Sequence, residues 1–455
     1  MKKNALLLLI VMCAFAACKK NDTVAPPTIP KVDTLAKTIT ASLTLNPTTS
    51  YVIDGQVFVK NNATLTIPAG VTVSFVKYDD RALKSSLIIT QGSKLVVNGT
   101  ADMPVVFTSA AITKAPGDWG AIVIQGKAPT NVVTGYSAGL AISDDTKFGG
   151  TDIHDNSGSI NYLRLEYCGG INPDAENEWL VDKVSGLSLE GVGDATMLDH
   201  VMVVHSNDDG FQFVGGNVTG THLIGYNNGD DDFDFDLGYQ GKLQFLVSYR
   251  TELTSTHALR ANGFESYNDE VPTSKAPLTR PVASNLTIIG PQGMETSKTN
   301  LNMGVYIRKG TRFVVENSIV AEYPQGGLMV CNKTRPILLA AVESFFKYNL
   351  VHSDSVSRTF SWDKDYAVIG DPALQAFALN NVNNNALINA SGDLLLKDMY
   401  GANGPDLTPT TGSAALTGAN FDGADYSAFF TRVVYRGAIG TDNNWAAPSK
   451  WAVWK

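Results

Sequence analysis

Short runs of alternating apolar and polar residues fill most of the chain, and over residues 198–238 the alternation repeats itself. His200-Val201-Met202 superposes on His222-Leu223-Ile224, and Asp208-Asp209-Gly210-Phe211-Gln212-Phe213 superposes on Asp230-Asp231-Asp232-Phe233-Asp234-Phe235, both at an offset of 22 residues. Each unit holds two short apolar runs. Phe-Gln-Phe and Phe-Asp-Phe alternate with the period of a strand that buries one face. The unit has no i, i+3, i+4 stripe for a helix, so the return path between parallel strands must itself be strand and turn. A coil that advances one strand spacing of about 4.8 Å per turn meets that condition. The pattern predicts an all-β chain built as a right-handed parallel β-helix solenoid with a C-terminal cap.

The unit recurs with looser spacing. Gly186-Leu187-Ser188-Leu189 precedes Gly210-Phe211-Gln212-Phe213 by 24 residues. Asn262-Gly263-Phe264-Glu265, Gly304-Val305-Tyr306-Ile307 and Gly327-Leu328-Met329-Val330 continue it, with Leu165-Glu166-Tyr167 as the other strand of an earlier turn. Insertions between units are expected on one face of the solenoid, often the binding face. Upstream, Tyr51–Val59, Ala63–Val73, Ser86–Ile89 and Lys94–Gly99 are Val/Ile/Thr alternations punctuated by Asn, Gly and Pro. Trp119, in Gly117-Asp118-Trp119-Gly120, reads as core packing at a corner. Past Val330 the pattern weakens, with a short helix expected over Leu338–Phe346. The aromatic end, Phe429 to Gly440 followed by Trp445, Trp451 and Trp454, reads as the cap over the last open coil, with a sugar-stacking surface as the alternative. The division expected is 1–18 signal peptide, 19–37 tether, 38–345 β-helix, and 346–455 irregular region and cap.

The first eighteen residues change the cellular picture. Lys2 and Lys3 precede an apolar run, Ala5–Ala17, of thirteen residues, too short to span a bilayer. Its end, Phe15-Ala16-Ala17-Cys18, resembles a bacterial lipobox, which implies lipidation at Cys18 and anchoring in the outer membrane of the cell envelope. The formal charge of −9 becomes −11 without those two lysines, and no Lys/Arg cluster offsets it, which excludes nucleic acid as a partner. A monomer is expected. Cys168 and Cys331 lie several coils apart, too far for a disulfide, and are expected as two free, buried thiols.

Candidate chemistry lies in the repeat. From His205 to Asp236 there are seven Asp residues and no Lys or Arg. Stacking at the 22-residue offset sets Asp208 beside Asp230 and Asp209 beside Asp231. Carboxylates that close repel unless a cation or a proton intervenes, and an oxygen-only set suits Ca²⁺. The competing reading is that these Asp side chains cap their own turns. Outward positions of the second strand form a column, Ser188, Gln212, Asp234, Glu265 and Tyr306, with Arg260, Arg308 and Lys242 near it, suited to binding a sugar chain. A catalytic pair such as Asp209 with Asp231 or Asp234 is the glycosidase alternative. His200 and His222 read as repeat positions, because no third ligand accompanies them.

The coil and its Asp-Asp-Gly turn resemble the pectin-lyase-like right-handed β-helix superfamily over residues 38–330, and the whole chain resembles β-helix lipoproteins of Gram-negative envelopes. Polygalacturonase-type members of that superfamily carry an Asp-Asp pair, a Gly-His-Gly and an Arg-Ile-Lys. Here Asp208-Asp209 matches the first, Ile307-Arg308-Lys309 is near the last, and no Gly-His-Gly occurs. Pectate-lyase-type members imply Ca²⁺-binding Asp residues and an Arg base, for which Arg260 or Arg308 stands. Three functions follow: an anchored β-helix that binds an extended polysaccharide with Ca²⁺, a polysaccharide lyase or glycosidase, and a structural or adhesive surface module.

Overall fold

The structure is a computed structural model that describes residues 31–78, 84–132, 134–170, 184–251, 261–269, 274–291, 303–341, 343–364 and 367–455. The chain winds as a right-handed parallel β-helix. Among the described residues, one 12-stranded sheet forms one face, and a 17-stranded sheet forms the other two, which merge around a bend. The 22-residue repeat is the rung repeat. Strand Phe211–Val214 pairs in parallel with Phe233–Asp236, and Met197–Val204 pairs with Thr219–Tyr226. Like residues therefore stack. Phe211 lies over Phe233 at 5.1 Å between ring centroids, and Phe213 over Phe235 at 4.9 Å. All four rings are fully buried, a burial worth about 1.5–3 kcal/mol each. Trp119 sits in the same core and stacks on Phe75 at 3.9 Å, so it packs the corner as expected.

The bend in the large sheet is a second ladder. Tyr162, His200, His222, Phe245, Asn285, Asn317 and Tyr348 all adopt left-handed backbone, with φ between 50° and 60°. Most fall at the same point of successive rungs, where the register skips one residue. Left-handed backbone costs about 1–2 kcal/mol per residue without glycine. Stacking along the ladder offsets it: Tyr162 on His200 at 4.2 Å, His200 on His222 at 4.4 Å, His222 on Phe245 at 5.2 Å.

Several expectations change at the ends. Among the described residues, parallel pairing begins at Lys31–Thr34, which pairs with Thr49–Ile53, and continues past residue 345 through Phe360–Lys364 and Ala386–Leu387. The helix expected over Leu338–Phe346 is Arg335–Leu339. Phe345–Lys347 is instead a rung on Val314–Glu316, because Phe346 is needed in the core. That helix and Pro372–Ala378 close the C-terminal end, placing Leu338, Leu374 and Ala378 against the core.

The aromatic C-terminus is not the lid over the last coil. It runs back along the flank of the solenoid, over the left-handed ladder. Asn317 Nδ2 donates to Asn420 O, Gln244 Nε2 to Thr431 O, and Arg164 donates to Lys450 O and Trp451 O. Trp451 and Trp454 are buried, and Trp445 is half-buried with its edge toward His222 at 4.9 Å. The bend leaves a trough of rings and amides whose backbone and side-chain polar groups need partners, and the C-terminal strap supplies them. These indoles are packed rather than presented to a sugar. Cys168 is buried, whereas Cys331 is only half-buried, because it ends strand Leu328–Cys331 at an outward position while Val330 fills the core.

Candidate functional site

The acidic residues meet where the solenoid turns from the bend sheet into the 12-stranded sheet. The turn stacks rung on rung: Asp230 N donates to Asp208 O at 3.3 Å, and Asp231 N to the Asp209 carboxylate at 3.0 Å. From inside the coil, Arg250 pins this corner. Its guanidinium donates to Asn228 O at 2.7 Å, to Asn262 O at 3.1 Å and to Asp230 O, while Nε lies 3.3 Å from the Asp232 carboxylate. Asp232 thus faces the core, and its neighbours in the turn face the other way.

Outside, the carboxylates fall into two groups. Asp208, Asp209 and Asp230 each offer an oxygen within 4.8 Å of the others, and Asp230 is half-buried. Asp231 converges with Asp234 and Glu265, again within 4.8 Å, and all three are buried. The expected column is present in register: Ser188, Gln212, Asp234, Glu265 and Tyr306 occupy one outward position of successive rungs. It is outward but covered. Upstream it continues into Val123, Ile88 and the half-buried Phe58, against which Leu140 and Val184 pack. Downstream, Tyr306 and Met329 pack with Met303 and Val368. The buried carboxylates therefore lie between two apolar clusters of the same column.

That setting explains the electrostatics. Burial, then the charges of Glu265, Asp230 and Asp209, pushes the Asp231 carboxyl well above the usual carboxylate range. Burial, then Asp209, Asp236, Glu265 and Asp231, does the same to Asp234, whose Oδ1 is buried without a hydrogen-bond partner. Glu265 is better served: Arg308 donates to Oε1 at 2.7 Å and Asn262 Nδ2 to Oε2 at 3.1 Å. Arg308 also stacks 5.1 Å from the Tyr306 ring centroid. Burial alone would lower the Arg308 pKa, but the Glu265 charge outweighs it and holds the guanidinium protonated. It is therefore ill-suited to act as a base. Arg260 lies outside the described residues, as does Cys18. Lys242 does not reach the column: it starts a strand of the large sheet, and its Nζ lies 3.1 Å from Ser427 Oγ in the strap.

Sequence reading missed the next outward column. Glu190 and Asp236 belong to it. Ser188 Oγ donates to Glu190 Oε1 at 3.1 Å and Ser137 donates to Oε2, yet burial pushes the Glu190 carboxyl up to about 8. Tyr267 Oη donates to Asp236 at 2.8 Å. The alternation Phe-Asp-Phe-Asp at 233–236 was the available signal. The stacked histidines do form a group with Asp199, whose Oδ1 lies 2.9 Å from His200 Nδ1 and 2.7 Å from His222 Nδ1. The two rings are nearly parallel, at 17°. A metal must lie close to the plane of each imidazole that binds it, so parallel stacked rings cannot share one. Asp199 instead hydrogen-bonds His222 and lies at ion-pair distance from His200, and although burial opposes ionisation, the two imidazoles hold its pKa below the usual range.

Residues 37–392 match a family model described as a pectate-lyase like beta helix domain, and by that match the chain belongs to this family. No curated protein and no solved structure matches it.

Proposed function

With membership of that β-helix family as the premise, we propose that this chain binds an extended polysaccharide at the corner beside its 12-stranded sheet, where Asp230 is half-buried, through Ca²⁺ held by Asp208, Asp209 and Asp230. The observation that carries this reading is the convergence of three carboxylates from consecutive rungs at one corner. The donors are all oxygen, as Ca²⁺ prefers. Bound there, the ion would neutralise the repulsion and present open coordination positions to sugar hydroxyl or carboxylate groups. Binding rather than cleavage is the activity favoured: Arg308 is committed to Glu265, and the sequence has no Gly-His-Gly. The chain acts as a monomer anchored through lipid at Cys18 to the outer membrane, without nucleic-acid partners, in keeping with its acidic balance.

The test is calcium-dependent retention on polygalacturonate together with unfolding in calcium and in chelator. A hundredfold excess of calcium over the dissociation constant should stabilise the fold by about 2.7 kcal/mol. Asp208→Asn/Asp230→Asn should abolish both retention and that shift. Retention unchanged by chelator would reject the reading. Anchoring is checked separately, by whether Cys18→Ala moves the protein from the membrane to the soluble fraction.

A further inference from the structure

A hairpin lies over the outer side of the 12-stranded sheet. Gly135–Tyr136 pairs antiparallel with Lys147–Phe148, and the turn between them covers strands Ile122–Gln125 and Leu187–Glu190. Its root is clipped: Gly149 N donates to Gly126 O at 2.9 Å, and Gln91 Nε2 donates to Gly126 O at 2.8 Å and to Gly149 O at 2.9 Å. Asn131, just ahead of it, is fixed by its N to Leu237 O at 2.9 Å and its Nδ2 to Asn268 O at 2.7 Å. Beyond the root, Leu140 packs on Ile88, Ala121 and Val123, and Lys60 pairs with Asp145 at 2.7 Å where water reaches both. A pair open to water holds little. Ile142 in the turn is 77 % exposed.

The polar contact beneath the hairpin ends on a carboxyl. Leu187 and Leu189 face the core, so Glu190 points outward, and Ser137 of the hairpin meets it there. Ser137 Oγ donates to Glu190 Oε2 and accepts from Gln125 Nε2 at 2.6 Å, while Ser188 Oγ donates to Glu190 Oε1 at 3.1 Å. All four side chains are buried. Gln125 Oε1 is buried without a hydrogen-bond partner, so the network has an acceptor to spare, and a proton on Glu190 adds a donor. The charge that acts on Glu190 is that of Asp236, also negative. The charged side chains of the hairpin turn elsewhere, Lys147 to Asp144 and Asp145 to Lys60. A carboxylate so placed is costly, whereas a neutral carboxyl is not.

We propose that this hairpin is a lid latched by one proton: it lies shut through Ser137 while Glu190 is a neutral carboxyl, and residues 135–148 lift when Glu190 gives that proton to water. Ionised, Glu190 needs water, and the hairpin covers the side from which water can come without breaking a rung. Lifting it also uncovers Ile88 and Val123, the apolar end of the outward column. Burial raises the Glu190 carboxyl to about 8 under the closed lid, against an ordinary value near 4.3 once the lid is open. The latch is therefore complete below about pH 4 and lost as pH rises through 8, and between the two each pH unit favours the open lid about tenfold more. The device depends neither on calcium nor on any glycan.

The experiment is hydrogen–deuterium exchange of the full chain from pH 5 to 9, corrected for the intrinsic rate. Mass spectrometry follows peptides covering residues 135–148 and, as reference, a peptide covering Phe211–Val214. Opening of the hairpin should rise about tenfold per pH unit up to about pH 8 and level off above it, while the reference stays protected. Glu190→Gln keeps a partner for Ser137 and has no proton to lose, so its hairpin should stay shut across the range. Ser137→Ala is the second variant if Glu190→Gln does not fold: its hairpin should lose most of the protection that the wild type has at pH 5. A wild-type hairpin with constant opening from pH 5 to 8, a folded Glu190→Gln with the wild-type slope, or a Ser137→Ala hairpin as protected as the wild type at pH 5 would each overturn the proposal. So would a hairpin and a reference that open together, because Glu190 would then act on the whole fold rather than on a lid.

Discussion

Replacing Arg250 with methionine tests whether the acidic corner is held from inside the coil. Arg250 is fully buried, with its side chain 1 % and that of Asp232 0 % exposed, so water cannot replace what the substitution removes. Methionine keeps most of the stem volume and deletes the charge and its donors. Asp232 would keep Ser248 Oγ at 2.6 Å and Asn228 Nδ2 at 2.8 Å, but would lose its only ion pair among the described residues. Removing one partner of a buried pair costs about 3–5 kcal/mol. The carbonyls of Asn228, Asp230 and Asn262 also lose a donor, although Asn262 O keeps the Asp232 N–H at 3.0 Å, and a buried group left unpaired adds about 1–3 kcal/mol where the chain cannot relax. We expect Arg250→Met to cost roughly 5 kcal/mol in denaturant-induced unfolding at pH 7. The double-mutant cycle with Asp232→Asn isolates the ion pair: in the neutral background the same change should cost less by at least about 2 kcal/mol. A single-variant loss below about 1 kcal/mol, or strict additivity in the cycle, would refute the argument that this pair pins the corner.

Glu190 should make the fold sensitive to alkali. Its carboxyl sits at about 8 in the folded chain, raised by burial, against an ordinary value near 4.3 when unfolded. Its stabilising contribution is therefore complete below about pH 4 and is lost as pH rises through 8, at about 1.4 kcal/mol per pH unit in between. Glu316, raised by burial to about 7 beside Tyr426, adds a similar loss up to that pH. Unfolding of Glu190→Gln measured from pH 5 to 8 should show a shallower decline than the wild type, and parallel curves would show that Glu190 does not hold its proton. Trp454→Ala tests the strap. This indole is buried with Tyr226 at 5.2 Å and Tyr249 at 5.3 Å, and its Nε1 donates to Ala446 O. Its loss should cost about 3–5 kcal/mol in the same unfolding measurement, and a near-neutral effect would mean that the strap is not part of the cooperative core.

The sequence alone was enough for the solenoid, because a parallel coil writes its period into the chain. Each rung must present like residues to the rung below, so Phe211 and Phe233 or Gln212 and Asp234 stand at a constant offset, and the outward column could be read from spacing alone. The pairing of Asp208 with Asp230 followed from the same offset. What the period cannot encode is where the side chains of a corner point. Only tertiary structure turned Asp232 inward onto Arg250, drew Asp231 to Asp234 and Glu265, and laid apolar neighbours such as Leu140 and Val368 over the ends of the outward column. The strap was equally hidden. Residues 419–455 carry no repeat, and their place is set by contacts with the bend ladder some 100 to 290 residues away in sequence, such as Asn317 with Asn420 and Arg164 with Lys450. A local alternation reports which face of a strand is apolar. Which outward groups remain in water depends on what the rest of the chain lays over them, and that is a property of the folded molecule.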